Sequence, residues 1–117
     1  MKKVLVLDDD EAILELLRTV LAEAGYEGFF AAALDAIPAN ESADLVITDL
    51  IPVKAYQRES ALAWVATLRA RFGRAAVFVL TAHRGAAAER DLLGANAIIT
   101  KPFDVEALLA RIETQLG

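Results

Sequence analysis

The chain contains no cysteine, which removes disulfide scaffolds, thiolate zinc sites and thiol catalysis together. Its one histidine is His83, so a site built on two imidazoles is excluded. No apolar run approaches the roughly 18 residues that a membrane-spanning helix needs. The opening Met1-Lys2-Lys3 passes through Val4-Leu5-Val6-Leu7 directly into Asp8, too short an apolar stretch for the core of a secretion signal. A cytoplasmic location without membrane contact is the expectation. Basic residues are also short, 12 against 17 acidic ones for a net charge of −5. Neutralising a nucleic-acid backbone needs clustered Lys and Arg, so direct nucleic-acid binding is not expected.

What the chain does have is apolar material. Of 117 residues, 56% are hydrophobic and 25% charged, and a chain of this length buries roughly two-thirds of the surface that its unfolded form exposes. A single domain over 1–117 needs no staple. Continuous apolar runs of strand length recur at Val4-Leu5-Val6-Leu7, Leu45-Val46-Ile47-Thr48, Val77-Phe78-Val79-Leu80 and Ala97-Ile98-Ile99-Thr100. Their lack of alternation predicts strands covered on both faces. Gly28-Phe29-Phe30-Ala31 reads as an edge strand. Between the strands, helical periodicity predicts helices over Glu11–Ala24, Ser60–Phe72 and from Val105 onward with Asp104 as N-cap. Two further helices are expected, a short one around Leu34–Glu41 interrupted by Pro38 and an alanine-rich one around Ala86–Leu93.

The order is thus β-α five times. That pattern implies a parallel sheet between two layers of helices, a three-layer doubly wound α/β domain. Five strands suit the flavodoxin-like order 2-1-3-4-5, in which ligands bind at the carboxyl ends of the strands, beside the switch point between strands one and three. There stand Asp8, Asp9 and Asp10 after strand one, Asp49 after strand three, Thr81 after strand four and Lys101 after strand five. Taken singly, Asp9 or Asp10 fits a helix N-cap, Asp49 a turn and Thr81 an ordinary strand end. Taken together, crowded carboxylates require a cation, and an all-oxygen donor set favours Mg2+ over zinc. An ammonium and a hydroxyl opposite them suit the remaining oxygens of a phosphoryl group. The chemistry that follows is phosphoryl transfer to a carboxylate, with Asp49 as the candidate nucleophile. An aspartyl-phosphate phosphatase is disfavoured, because its two aspartates would have to be Asp8 and Asp10, with no cap domain to cover them.

Over essentially its whole length the chain resembles the receiver domain of bacterial two-component response regulators. The matching segments are Val-Leu-Val-Leu-Asp-Asp-Asp, Ala43-Asp44-Leu45-Val46-Ile47-Thr48-Asp49-Leu50, Val79-Leu80-Thr81-Ala82 and Gly94-Ala95-Asn96-Ala97-Ile98-Ile99-Thr100-Lys101-Pro102-Phe103. The resemblance implies that Asp49 accepts a phosphoryl group from a sensor histidine kinase or a phosphotransfer protein. It also implies a Mg2+ site made by Asp8, Asp9, Asp49 and the carbonyl of Ile51, with Thr81 and Lys101 meeting the phosphoryl oxygens and a cis bond before Pro102. Such a domain is a switch rather than an enzyme, although it assists its own phosphorylation and dephosphorylation. Its output surface is the face of the fourth helix, fifth strand and fifth helix, read by an effector that the sequence does not identify.

Three features depart from the family pattern. The stretch Asp49-Leu50-Ile51-Pro52-Val53-Lys54-Ala55-Tyr56-Gln57-Arg58-Glu59 lacks the usual glycines and is longer. Within it Lys54, Tyr56 and Arg58 are candidates for contact with the phosphoryl site or a partner, a solvated loop being the plain alternative. Ile98 occupies the place of the family's switch aromatic, so the signal must run through the loop after strand four or through another aromatic. Asn96 and Ala97 replace an acidic pair used in dimers, which leaves a monomer or weak homodimer. The alternative function is a phosphorylation-independent interaction module that retains the acidic pocket.

Overall fold

The computed structural model describes residues 1–50 and 55–117. Five strands form one parallel sheet: β1 (Lys3–Leu7), β2 (Glu27–Ala31), β3 (Leu45–Thr48), β4 (Ala76–Thr81) and β5 (Ala97–Thr100), in the order β2-β1-β3-β4-β5. The four α-helices among the described residues are α1 (Glu11–Glu23), α2 (Arg58–Phe72), α3 (Arg84–Ala87) and α4 (Val105–Leu116). Alternate residues of each strand serve opposite layers. Val4, Val6, Ile47, Phe78 and Leu80 pack with Leu14, Leu17, Leu21, Leu108 and Ile112 of α1 and α4. On the other face, Leu5, Leu7 and Val46 pack with Leu68 and Phe72, while Val77 and Val79 pack with Val65, Ala86 and Leu93. The two-sided burial expected of the apolar runs is present, and so is the expected strand order.

Helix ends follow local chemistry. The Asp10 carboxylate accepts from the Ala12 amide at 2.9 Å and starts α1, and Asp104 does the same for Glu106 at 2.9 Å at the start of α4. Such caps satisfy amides that the first helical turn leaves unpaired. Gly25 and Gly73, with φ of 87° and 60°, take the left-handed turn after α1 and α2.

The expectation of five helices is corrected to four, with two 3₁₀ turns. The segment expected to be helical over Leu34–Glu41 makes only a 3₁₀ turn at Leu34–Ala36. Pro38 cannot donate a helical hydrogen bond and pushes the preceding Ile37 into extended backbone, with ψ 126°. Arg71 of α2 supplies what the helix would have supplied, donating to the carbonyls of Leu34 (3.3 Å), Ile37 (2.7 Å) and Pro38 (3.1 Å). Likewise, the helix expected over Ala86–Leu93 begins at Arg84 and ends at Ala87, followed by a 3₁₀ turn at Leu92–Gly94. Leu92 and Leu93 there adopt φ of 55° and 54°, a left-handed pair that helix propagation excludes. Burial of the Leu93 side chain holds the turn in place.

Hydrogen bonds from a charged donor contribute roughly 1.5–3 kcal/mol each when buried, less when part-exposed. Arg71→Ala should therefore lower stability by about 2 kcal/mol, read as a lower urea midpoint with an unchanged m-value.

Candidate functional site

The ladder of the sheet carries directly into the acidic residues. Leu7 of β1 lies between Ala31 of β2 and Thr48 of β3. One residue further, the Asp8 amide donates to the Ala31 carbonyl at 3.1 Å and the Asp49 amide to the Leu7 carbonyl at 2.8 Å. The Lys101 amide continues the same pattern, donating to the Thr81 carbonyl at 2.8 Å. Backbone pairing, rather than side-chain attraction, fixes where these groups stand.

Their side chains then meet. The Lys101 ammonium donates to Asp8 Oδ2 at 2.8 Å and to Asp49 Oδ2 at 3.2 Å. The other oxygen of each acid is bound by backbone: Asp8 Oδ1 accepts from the Asp10 amide at 2.9 Å, and Asp49 Oδ1 from the Leu50 amide at 2.8 Å. Carboxylate oxygens of Asp8, Asp9 and Asp49 all lie within 4.8 Å of one another, with Asp8 buried, Asp9 exposed and Asp49 half-buried. Behind Asp49, the Thr48 hydroxyl donates to the Asp49 carbonyl at 2.6 Å and accepts from the Trp64 indole N–H at 2.9 Å. A partly buried indole seeks an acceptor, but its choice of Thr48, on another element, carries no local sequence signal.

Of the residues expected here, Asp8, Asp9, Asp49 and Lys101 converge. Thr81 ends β4 on the same edge, fully buried, with its hydroxyl oxygen accepting from the His83 amide at 3.1 Å. The Lys101-Pro102 bond is cis, as the family resemblance implies. Ile51 and Lys54 lie outside the described residues. Tyr56 and Arg58 turn toward α3 instead of the acids: Tyr56 donates to Glu89, and Arg58 pairs with Glu89 and Asp91.

Three carboxylates gather here and one ammonium pairs with two of them, so the pocket is negative. Burial pushes the Asp8 carboxyl above its ordinary value and outweighs the opposing pull of Lys101. Burial alone would push Lys101 down, but its hydrogen bond to Asp8 and the charges of Asp49 and Asp8 carry it upward instead. The donor set consists of hard oxygens, Lys101 compensates its charge only in part and one acid faces solvent. Those properties fit a small divalent cation.

The sequence model described as "Response regulator receiver domain" matches residues 4–113. The chain belongs to that family. Among its relatives is the transcriptional regulatory protein YvrH of Bacillus subtilis, 32% identical over 119 residues, which cover 97% of this chain and 48% of YvrH. The receiver thus spans about half the length of the curated relatives that it matches. Two solved structures bear on the pocket. The response regulator TrrA of Thermotoga maritima, in complex with Mg2+-BeF, superposes with a TM-score of 0.77 at 28% identity, covering 99% of this chain and 100% of TrrA. A Burkholderia pseudomallei response regulator holding a phosphorylated aspartic acid, a calcium ion and citrate gives 0.76 at 26% identity, covering 99% and 69%. Receivers are signalling domains, and these two were captured with a divalent cation and a phosphoryl group or its mimic.

The raised Asp8 value has a consequence for stability. Because it lies above the ordinary 3.8, this group favours the fold most at low pH, and that contribution is lost as pH rises through the folded value. At neutral pH the ionised Asp8 is a cost, and its removal leaves Lys101 still paired with Asp49. Asp8→Asn should therefore raise the melting temperature of the ion-free protein at pH 7, with a smaller gain at pH 4. A melting curve in chelator that drops at both pH values would contradict this balance.

Proposed function

We propose that the chain accepts a phosphoryl group on Asp49 from a phosphohistidine of a sensor kinase or phosphotransfer protein, and relays the change to an effector. The observation that supports this most directly is the setting of Asp49. It ends the central strand, with one oxygen held by a backbone amide and the other beside an ammonium. A carboxylate so oriented is a nucleophile aimed out of the sheet edge. One of its oxygens forms a bond to phosphorus as the phosphorus–nitrogen bond breaks, and the electron pair returns to the imidazole.

Asp8, Asp9 and Asp49 are the described residues that would hold Mg2+, with the Ile51 carbonyl as a further ligand on the family pattern. When bound, the ion offsets the charge of the acids and of the incoming phosphoryl oxygens. Lys101 already spans Asp8 and Asp49, and pairing with a phosphoryl oxygen needs only that the ammonium exchange one acceptor for another. The Thr81 hydroxyl, whose oxygen now accepts from the His83 amide, would donate to a second oxygen. The domain itself thus aids both attachment and later hydrolysis of the group.

The output face comprises α3, β5 and α4. It carries a cavity of about 350 Å3 lined by Ile98, Thr100, Phe103, Ala107 and Arg111 among others. At its edge, Asn96 Oδ1 is engaged within the chain by the Val77 amide (2.9 Å) and Arg69 (2.6 Å). That internal pairing supports a monomer or weak homodimer over an ion-paired dimer through this position.

Trp64 is the sole tryptophan and is bonded to Thr48, one residue from Asp49, so its fluorescence reports on the pocket. Mg2+ should change that fluorescence saturably, and at a hundred times its dissociation constant should stabilise the fold by about 2.7 kcal/mol. Asp8→Asn should abolish both effects. Asp49→Ala should take up no label from a small phosphodonor, while Lys101→Ala retains Mg2+ binding but loses most of the response to beryllofluoride. Label on a carboxylate of the Asp49→Ala protein would end the assignment. Unchanged partner binding and oligomeric state with beryllofluoride would favour the phosphorylation-independent module.

A further inference from the structure

The loop that leaves Asp49 and the loop that leaves Thr81 are tied together away from the acids. Tyr56 lies against Gly85 so closely that a Cβ at Gly85 would meet its ring at 2.5 Å. The Tyr56 hydroxyl donates to Glu89 Oε2 at 2.7 Å. Two residues on, the Arg58 guanidinium forks over Glu89 (2.7 Å) and both oxygens of Asp91. Asp91 Oδ1 also accepts from the Leu93 amide at 3.0 Å, inside the left-handed pair Leu92–Leu93. Tyr56 packs against the same apolar cluster as Ile98, a cluster that contains Ala86 and the buried Leu93.

These contacts join three things: the chain following the acceptor, the short helix following Thr81 and a turn in unfavourable backbone geometry. Resting on the acceptor reading of Asp49, we infer that Tyr56 and Arg58 form a clasp that positions the Thr81 loop and carries the state of the acid pocket to α3 and the Leu92–Gly94 turn. Ile98 is an aliphatic side chain and offers no ring to reorient, whereas Tyr56 brings an aromatic into that cluster from the acceptor loop. Its hydroxyl, pushed up to about 12 by burial and by the Glu89 carboxylate, remains a donor at any working pH. A link of this kind acts only if it favours one loop arrangement over the other. The clasp does so by holding the segment that follows Thr81 against Tyr56 and Arg58, so that its loss frees the loop that must present Thr81 to a phosphoryl oxygen. Tyr56 and Arg58 are positioning residues: they touch neither the acids nor the group transferred.

The test uses the 117-residue chain in Mg2+, titrated with beryllofluoride and followed at two places: Trp64 fluorescence for the pocket, and amide shifts of residues 84–94 for the far segment. In the unaltered protein both should respond with one affinity. In Arg58→Ala and Tyr56→Ala, the Trp64 response to Mg2+ alone should be unchanged. Beryllofluoride affinity should fall by about fivefold or more, the lower end of ordinary coupling between sites, and the amides of residues 84–94 should stop following the pocket. Tyr56→Phe, which keeps the ring on Gly85, should recover most of the loss, and Glu89→Gln should weaken the coupling through either partner without removing a packed side chain. Variants that bind beryllofluoride with unaltered affinity and unaltered shifts at 84–94 would overturn the clasp. Loss of Mg2+ binding in the same variants would also overturn it, by showing a general disturbance of the fold. An unaltered protein that binds Mg2+ yet ignores beryllofluoride would instead overturn the acceptor reading, and the clasp with it.

Discussion

Everything at the carboxyl edge of the sheet depends on holding like charges together. Three carboxylates meet within 4.8 Å, and the ammonium of Lys101 bridges only two of them. Attraction does not assemble such a group, since the pocket remains negative after the lysine is counted. The sheet assembles it. Ladder hydrogen bonds extend one residue past the strands into Asp8, Asp49 and Lys101, so breaking up the cluster would mean breaking the ladder. The hydrophobic layers on both faces offset the electrostatic cost. What the sheet gathers there is a set of hard carboxylate oxygens, the kind of donor that suits a small divalent cation.

The packed sheet and the connections above it divide along that edge. Strands β1, β3 and β4 are buried almost throughout, and their close packing resists gradual deformation. On one side of the switch point Arg71 closes the connection after β2 by bonding to three carbonyls. On the other, Tyr56 and Arg58 gather the connections after β3 and β4. Two arginines of one helix, one at its first residue and one near its last, thus reach the connections on either side of the switch point. The exposure of the Arg58–Asp91 pair makes its bond individually weak and salt-sensitive.

The sequence was most informative where one physical rule acted alone. Unbroken apolar runs identified the strands because burial on both faces admits few polar residues. Their alternation with helical stretches then left few ways to order five parallel strands. Asp8, Asp9, Asp49 and Lys101 were legible as a group, with Thr81 on the same edge, because the carboxyl ends of parallel strands share one edge of the sheet in this topology. Where two rules competed, the reading was less sharp. Around Leu34–Glu41 helical propensity met Pro38, and the proline prevailed because a missing amide cannot be compensated within so short a helix. Over Ala86–Leu93 alanine-rich composition favoured helix, yet burying Leu93 in the core required a backbone that no helix contains.

The sequence by itself determined the strands, the three longer helices, their order and the chemical character of the pocket, because periodicity and residue type are local properties that composition and spacing express. Only the tertiary structure decided which partners the side chains take. Lys101 lies 93 residues from Asp8, Tyr56 lies 33 from Glu89, and Trp64 finds Thr48 across the helix–sheet boundary. Such pairings depend on the angles at which loops leave rigid strands and on how packed side chains share space. Those are set by the whole molecule at once.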